Sequence, residues 1–160
     1  MHGKPPLIER NRCNCAALRK ASRRLSQFYD SALAPAGLKS TQFAILAEIE
    51  RREDEPPTIR ALAEALVIDQ STIGQNLRPL ERDRLVSLEQ DATDLRRRHV
   101  KLTSKGRSQI ATARPLWAGA QARFEGSFGE QAAADLRAVL LEIARDPSLV
   151  GDGGSPAPRR

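Results

Sequence analysis

Residues 59–103 read IRALAEALVIDQSTIGQNLRPLERDRLVSLEQDATDLRRRHVKLT, and they divide into two short helices followed by a basic β-hairpin. In the first, Ile59, Leu62, Ala63 and Leu66 recur at the i, i+3, i+4, i+7 spacing of one buried helical face, leaving Arg60 and Glu64 outside. Val67 and Ile68 make a short connection. Asp69 then offers a carboxylate to the free amides of a second helix, the chemistry of an N-cap. That helix turns Ile73, Leu77 and Leu80 inward and Gln70, Ser71, Thr72, Gly74, Gln75, Asn76 and Arg78 outward.

An outward face of small, amide and cationic side chains suits a DNA major groove, where Gln and Asn pair with adenine and Arg with guanine or phosphate. Alone, it would equally describe a solvated helix surface. The residues that follow decide between the two readings. Leu85, Val86 and Leu88 form a β-prone run, residues 91–94 break it, and His99, Val100, Lys101 and Leu102 return in alternation, as in a hairpin. Its tip carries Arg96, Arg97 and Arg98. Beside a helix-turn-helix, three consecutive guanidiniums become a wing able to grip phosphates and enter a narrow minor groove.

With these landmarks, residues 13–146 resemble the MarR family of winged helix-turn-helix transcriptional regulators. The resemblance is carried by Thr41-Gln42-Phe43, Leu62-Ala63, Ser71-Thr72-Ile73, Leu80-Glu81-Arg82, Leu85-Val86, Asp94-Leu95-Arg96-Arg97, and Leu102-Thr103 with Gly106. The Asp-x-Arg-Arg wing followed by Leu-Thr-x-x-Gly is its most diagnostic part. The resemblance implies that Asp94 and Arg96 support each other and that Arg96 reaches the minor groove. Two positions depart from the pattern. Arg84 stands where relatives carry a glycine in a left-handed turn, and Gln75 stands where an Arg is common, so the base sequence read by relatives does not transfer.

The implied fold is mainly α: a winged helix-turn-helix over about 40–103, a small β-hairpin wing, and N- and C-terminal dimerisation helices over about 15–33 and 104–146. A flexible arm over 1–12 and a disordered tail over 147–160, containing GDGGSPAPRR, would flank this single domain. In the first helix Leu18, Ala21, Leu25, Phe28 and Ala32 share one side, and Pro35-Ala36-Gly37 ends it. Ser40 is the expected cap of the next helix, and Pro56-Pro57 stops that one. Ser104 is the expected cap of a long helix, broken or bent near Pro115. Its Ile110, Ala113, Leu116, Trp117, Ala120 and Phe124, with Leu136, Val139, Leu140 and Ile143 of a last helix, exceed what a compact reading head can cover. The resemblance assigns the excess to an identical subunit, whose two-fold symmetry would set paired recognition helices on a near-palindromic operator.

Composition agrees with a duplex partner. The formal net charge is +6, and because much of it lies in the wing and near the second helix it favours a polyanion. Aromatic residues are 4% of the chain, too sparse for platforms that stack single strands. No apolar run approaches a membrane span and the first residues lack the apolar core of a signal peptide, so a cytoplasmic protein is expected. No cofactor is called for. His2 and His99 stand in the expected arm and a wing strand, and no phosphate loop or nucleophile–base pattern occurs, which argues against an enzyme. A winged-helix module that docks protein is the alternative function, although it would have no use for the arginine tip.

Cys13 and Cys15 are the only cysteines. With so few histidines they fall short of a zinc shell, and inert small-residue roles would suit both. The register of Cys15, Ala21-Ser22-Arg23 and Tyr29 resembles the hydroperoxide-sensing branch of the family, with Arg19 where that branch has a tyrosine. This resemblance implies a thiol switch. The competing effector is a small aromatic ligand bounded by Phe28, Tyr29, Phe43 and Trp117, all of which would serve equally as core.

Overall fold

The computed structural model describes residues 12–149, so most of the expected arm and all but the first three residues of the expected tail lie outside the described residues. Its elements run α1 (Asn14–Leu33), a 3-10 turn (Ala34–Ala36), α2 (Ser40–Arg51), α3 (Ile59–Leu66), α4 (Gln70–Arg82), β1 (Val86–Gln90), β2 (Arg98–Leu102), α5 (Ser104–Phe128), α6 (Glu130–Arg145) and a 3-10 turn (Pro147–Leu149). Two compact units divide the chain, one ending at Ala120 and one beginning at Gln121. The expected mainly helical winged architecture is present.

In the first unit, Leu33, Ile45, Leu46, Leu62, Ile73, Leu80, Val100 and Ile110 are fully buried. They come from α1 to α5 and β2, and with Val86 of β1 buried among them every element of the reading head contributes to one core. The inward rows of α3 and α4 are those the spacing predicts. Thr58 caps α3, its Oγ1 accepting from the Ala61 amide at 3.1 Å. Val67 ends that helix in the left-handed region, φ 52°, a strained position for a β-branched residue. Asp69 caps α4 as expected, its Oδ1 accepting from the Thr72 amide at 2.8 Å.

The hairpin is antiparallel, with Val86 opposite Leu102, Leu88 opposite Val100 and Gln90 opposite Arg98. Arg98 therefore belongs to β2, and the turn itself spans residues 91–97. Arg84 precedes the sheet at φ 61°, so this non-glycine residue adopts the left-handed turn that the sequence pattern demanded. The Leu85 amide donates to the Leu80 carbonyl at 2.8 Å, closing the end of α4.

Two helix starts differ from expectation. Ser40 is the first residue of α2 and Lys39 its N-cap, because the Ser40 amide and hydroxyl both donate to Asp30 Oδ1 at 2.6 Å. Thr103, rather than Ser104, caps α5: its Oγ1 accepts from the Gly106 amide at 3.0 Å. Thr103 is fixed there by the sheet, since its amide donates to the Leu85 carbonyl at 3.1 Å. Helix α5 continues through Pro115 without a break. The loss of one amide donor there is offset by the helix on either side, where Ile110, Ala113 and Ala120 are buried.

In the second unit, Phe124 and Phe128 stack at 5.4 Å and Ala133 of α6 is buried. Phe128, Val139, Leu141 and Ile143 are exposed. Pro147–Leu149 forms a 3-10 turn in which Asp146 Oδ1 accepts from the Ser148 amide at 2.8 Å.

Candidate nucleic-acid interface

The sequence-predicted polar residues converge from three elements. Arg60 at the start of α3, Gln70 at the start of α4, and Arg96, Arg97 and Arg98 of the hairpin line one open cleft. Ser71, Gln75 and Arg78 are exposed along the same helix α4. Arg60 is not a free cation, since its Nε donates to Glu64 Oε1 at 2.8 Å. Both partners are well exposed, so the pair contributes little and a polyanion would readily displace the carboxylate.

The front of α4 is organised by Asp69. Its carboxylate accepts from the Ser71 hydroxyl at 2.5 Å and from the Thr72 hydroxyl at 2.6 Å, besides the Thr72 amide. These bonds, the hydroxyls foremost, hold its pKa down to about 2. Ser71 and Thr72 thus spend their hydroxyl protons inside the helix cap and present only lone pairs outward. Asn76 also differs from expectation. Its Nδ2 donates to the Thr72 carbonyl at 2.9 Å, folding the side chain back along the helix. Gln75 is the outward amide.

The hairpin turn is held by a hub that sequence reasoning missed. Asp91 Oδ1 accepts from the Thr93 amide at 2.7 Å, the Thr93 hydroxyl at 2.6 Å and the Asp94 amide at 3.1 Å. Its other oxygen meets His99 Nε2 at 2.8 Å, while His99 Nδ1 meets the Pro56 carbonyl at 2.8 Å. A carbonyl can only accept, and an ionised carboxylate can only accept, so both ring nitrogens are called upon to donate. The Asp91 carboxylate, then the Pro56 carbonyl, raise the His99 pKa above its ordinary value, with burial and then Lys101 opposing. The same contact, helped by the Thr93 bonds, holds Asp91 well below the usual carboxylate range. The Val100 amide donates to the Pro57 carbonyl at 2.8 Å, and Thr58 bridges His99, so the hairpin base is tied to the segment leading into α3. The sequence offers only an Asp and a His flanking a turn, because the Pro56 partner lies 43 residues away.

Asp94 pairs differently from the resemblance. Its carboxylate lies 3.5 Å from Arg97 Nε, and it accepts from the Arg96 backbone amide at 3.0 Å. A three-residue spacing lets Arg97 fold back over the turn. The Arg96 side chain is exposed, and Leu95 beside it is 72% exposed.

The effector candidates fall into ring pairs. Phe28 and Tyr29 meet edge to face at 5.4 Å, and Phe43 stacks on Trp117 at 6.0 Å. Cys13 is the N-cap of α1, its Sγ accepting from the Ala16 amide at 3.4 Å, and Cys15 is the second residue of that helix. Both are exposed free thiols. Arg19 lies one turn beyond Cys15, also exposed. Among the described residues no group of three or more His, Cys, Asp or Glu could hold a metal ion. Among them, too, no helix is long and apolar enough to cross a membrane.

Known proteins share this arrangement. Residues 36–97 match the sequence profile of the MarR family. The transcriptional regulator HosA of Escherichia coli is 31% identical over 109 residues, 68% of this chain and 76% of that protein. The transcriptional regulator MosR of M. tuberculosis, in complex with DNA, is 36% identical with a TM-score of 0.70, covering 84% of this chain and 99% of that one. The transcriptional repressor CouR, bound to a 23-mer DNA duplex, is 25% identical with a TM-score of 0.77, covering 89% of this chain and 100% of that one. The chain belongs to the MarR family of transcriptional regulators, which are not enzymes.

Proposed function

We propose that this regulator is a homodimer that binds a near-palindromic duplex operator in the cytoplasm, acts as a repressor, and is released by oxidation of its cysteines or by a small aromatic ligand. The observation that carries the reading is the convergence of Arg60, Gln70, Arg96, Arg97 and Arg98 on one cleft, with Ser71, Gln75 and Arg78 exposed along α4. Relatives whose structures were solved with DNA, MosR and CouR, support it. Exposed Leu18 of α1 and Phe128, Val139, Leu141 and Ile143 of the second unit support an identical partner, because without one this apolar area stays in water.

The test is recovery of bound genomic fragments by the purified protein, with and without peroxide. An inverted repeat in the recovered DNA supports the two-fold reading. Recovery of no duplex above a scrambled competitor overturns DNA binding and favours a winged helix that docks protein.

Wing and helix should fail differently. Arg96→Ala lowers affinity for all duplexes by about tenfold and flattens its salt dependence, because a wing guanidinium chiefly neutralises phosphate. Gln75→Ala instead changes which base is preferred, by about 1 kcal/mol or more. A titration of both variants against operator and mismatched duplexes checks the assignment, which is reversed if the wing variant alone shifts base preference.

For the thiol switch, peroxide oxidises the Cys15 sulfur to a sulfenic acid and is itself reduced to water. Attack by the Cys13 thiol, on the same subunit or its partner, then forms a disulfide and expels a second water. Consumption of Cys13 would remove the sulfur that caps α1. Cys15→Ser is expected to bind DNA as tightly as the reduced protein and to stay bound under peroxide. Equal release of wild type and variant in a mobility-shift titration would leave the aromatic-ligand model, with Phe28, Tyr29, Phe43 and Trp117 as its candidate lining.

A further inference from the structure

Glycine in the middle of a helix weakens it relative to alanine, since it adds backbone freedom to the unfolded chain and no packing to the folded one. Such a residue normally answers to a need in the protein. Gly106 in α5 does, because a β-carbon there would overlap the Leu85 carbonyl oxygen. Gly74, in the middle of α4, does not, and neither do Gly119 and Gly126 of α5, but of these three only Gly74 stands on a helix that lines the cleft. A β-carbon built on Gly74 meets no atom within 4 Å, and its φ is not among the positive ones.

Its place on the helix is informative. Positions four apart stack in one row, so Gln70 lies one turn before Gly74 and Arg78 one turn after. Gln70 lines the cleft shared with Arg96, Arg97 and Arg98, and Arg78 is exposed. Ile73 and Leu77 face the core on the flank. The row therefore presents two polar side chains separated by bare helix backbone, a notch open to the outside.

We propose that Gly74 is the point of closest approach between α4 and the duplex, where the missing side chain admits an apolar DNA edge, a thymine methyl or a deoxyribose, to van der Waals contact with the helix. The inference rests on the DNA-binding reading above. Gln70 and Arg78 engage polar groups on either side of the contact, so Gly74 sets how deeply the helix seats and thereby which base pairs the neighbouring amide and guanidinium can reach.

The duplex recovered in the genomic selection serves as probe for wild type, Gly74→Ala and Gly74→Leu, with thermal unfolding measured on each. Alanine is expected to raise the unfolding midpoint by roughly 2–4 °C while lowering affinity at least about tenfold, and leucine to lower affinity further. Replacing individual thymines by deoxyuridine separates the two edges: a loss in wild type that is absent in Gly74→Leu identifies the methyl, and no loss at any position identifies the sugar. Variants that bind as tightly as wild type, or that melt lower, overturn the role of Gly74 while DNA binding stands. A wild type that retains no duplex removes both.

Discussion

Gly106→Ala is expected to destabilise the first unit by about 3 kcal/mol, the size of a severe overpacking defect. Two effects oppose each other at this position. Alanine is the better helix former by about 1 kcal/mol, which by itself would stabilise the first turn of α5. Against that, the added β-carbon would overlap the backbone oxygen of Leu85, and backbone cannot rotate out of the way as a flexible side chain could. That oxygen accepts from the Thr103 amide at 3.1 Å and lies within reach of the Thr103 hydroxyl at 3.2 Å. Displacing α5 to relieve the overlap would therefore break the cap of α5 and the entry to β1 together. Denaturant unfolding of wild type and variant measures the difference. A variant as stable as wild type would show that α5 can shift without cost, and the Leu-Thr-x-x-Gly signature would need another explanation.

His99→Gln is expected to cost about 1 kcal/mol at mildly acidic pH, the scale of a lost charge-assisted hydrogen bond discounted for a side chain about a third exposed. Glutamine cannot donate simultaneously to Asp91 and to the Pro56 carbonyl in the geometry of the ring. The pH dependence has a definite sign. The folded pKa of His99 is raised, so its contribution is fully present below the unfolded value near 6.5 and is lost as pH rises through the folded value. Asp91 is depressed, so its contribution is present above the ordinary carboxylate value and is lost only as pH falls through its lowered one. Together they place the pair's full effect between about pH 4 and 6.5. Thermal unfolding of both proteins across pH 5 to 9 should show a gap that narrows toward alkaline pH. A gap of constant width would mean that the ring acts by shape alone.

The elements of the reading head were legible because their causes are local. The inward rows of α3 and α4, the cap at Asp69 and the alternation of the hairpin are all set within a turn or two of chain. The misreadings arise where a distant group decides. Ser40 and Ser104 are good cap residues by type, yet Asp30 takes the first hydroxyl and the Leu85 carbonyl draws Thr103 into the cap position ahead of the second. His99 was unreadable as a hub because one of its partners lies 43 residues away at Pro56. Of the candidate residues, Gln70, Arg60 and the three wing arginines were picked out by residue type and spacing, and the structure brings them to one cleft. The outward placement of Asn76 was not legible, because nothing in its neighbourhood distinguishes an outward amide from one bonded to its own helix.

The hairpin turn also bears on the entropy of association. A loop that carries cations but lacks internal bonds must freeze its backbone when it binds, at roughly 1–2 kcal/mol per residue. Here a single carboxylate, Asp91, already gathers two backbone amides, a hydroxyl and an imidazole, and the Asp91 and Arg97 backbones close the turn at 3.0 Å. The backbone ordering has been completed during folding, leaving chiefly the guanidinium rotamers to be restricted on contact with a polyanion. Tightening or loosening this turn would therefore act on affinity without altering any group that touches the ligand.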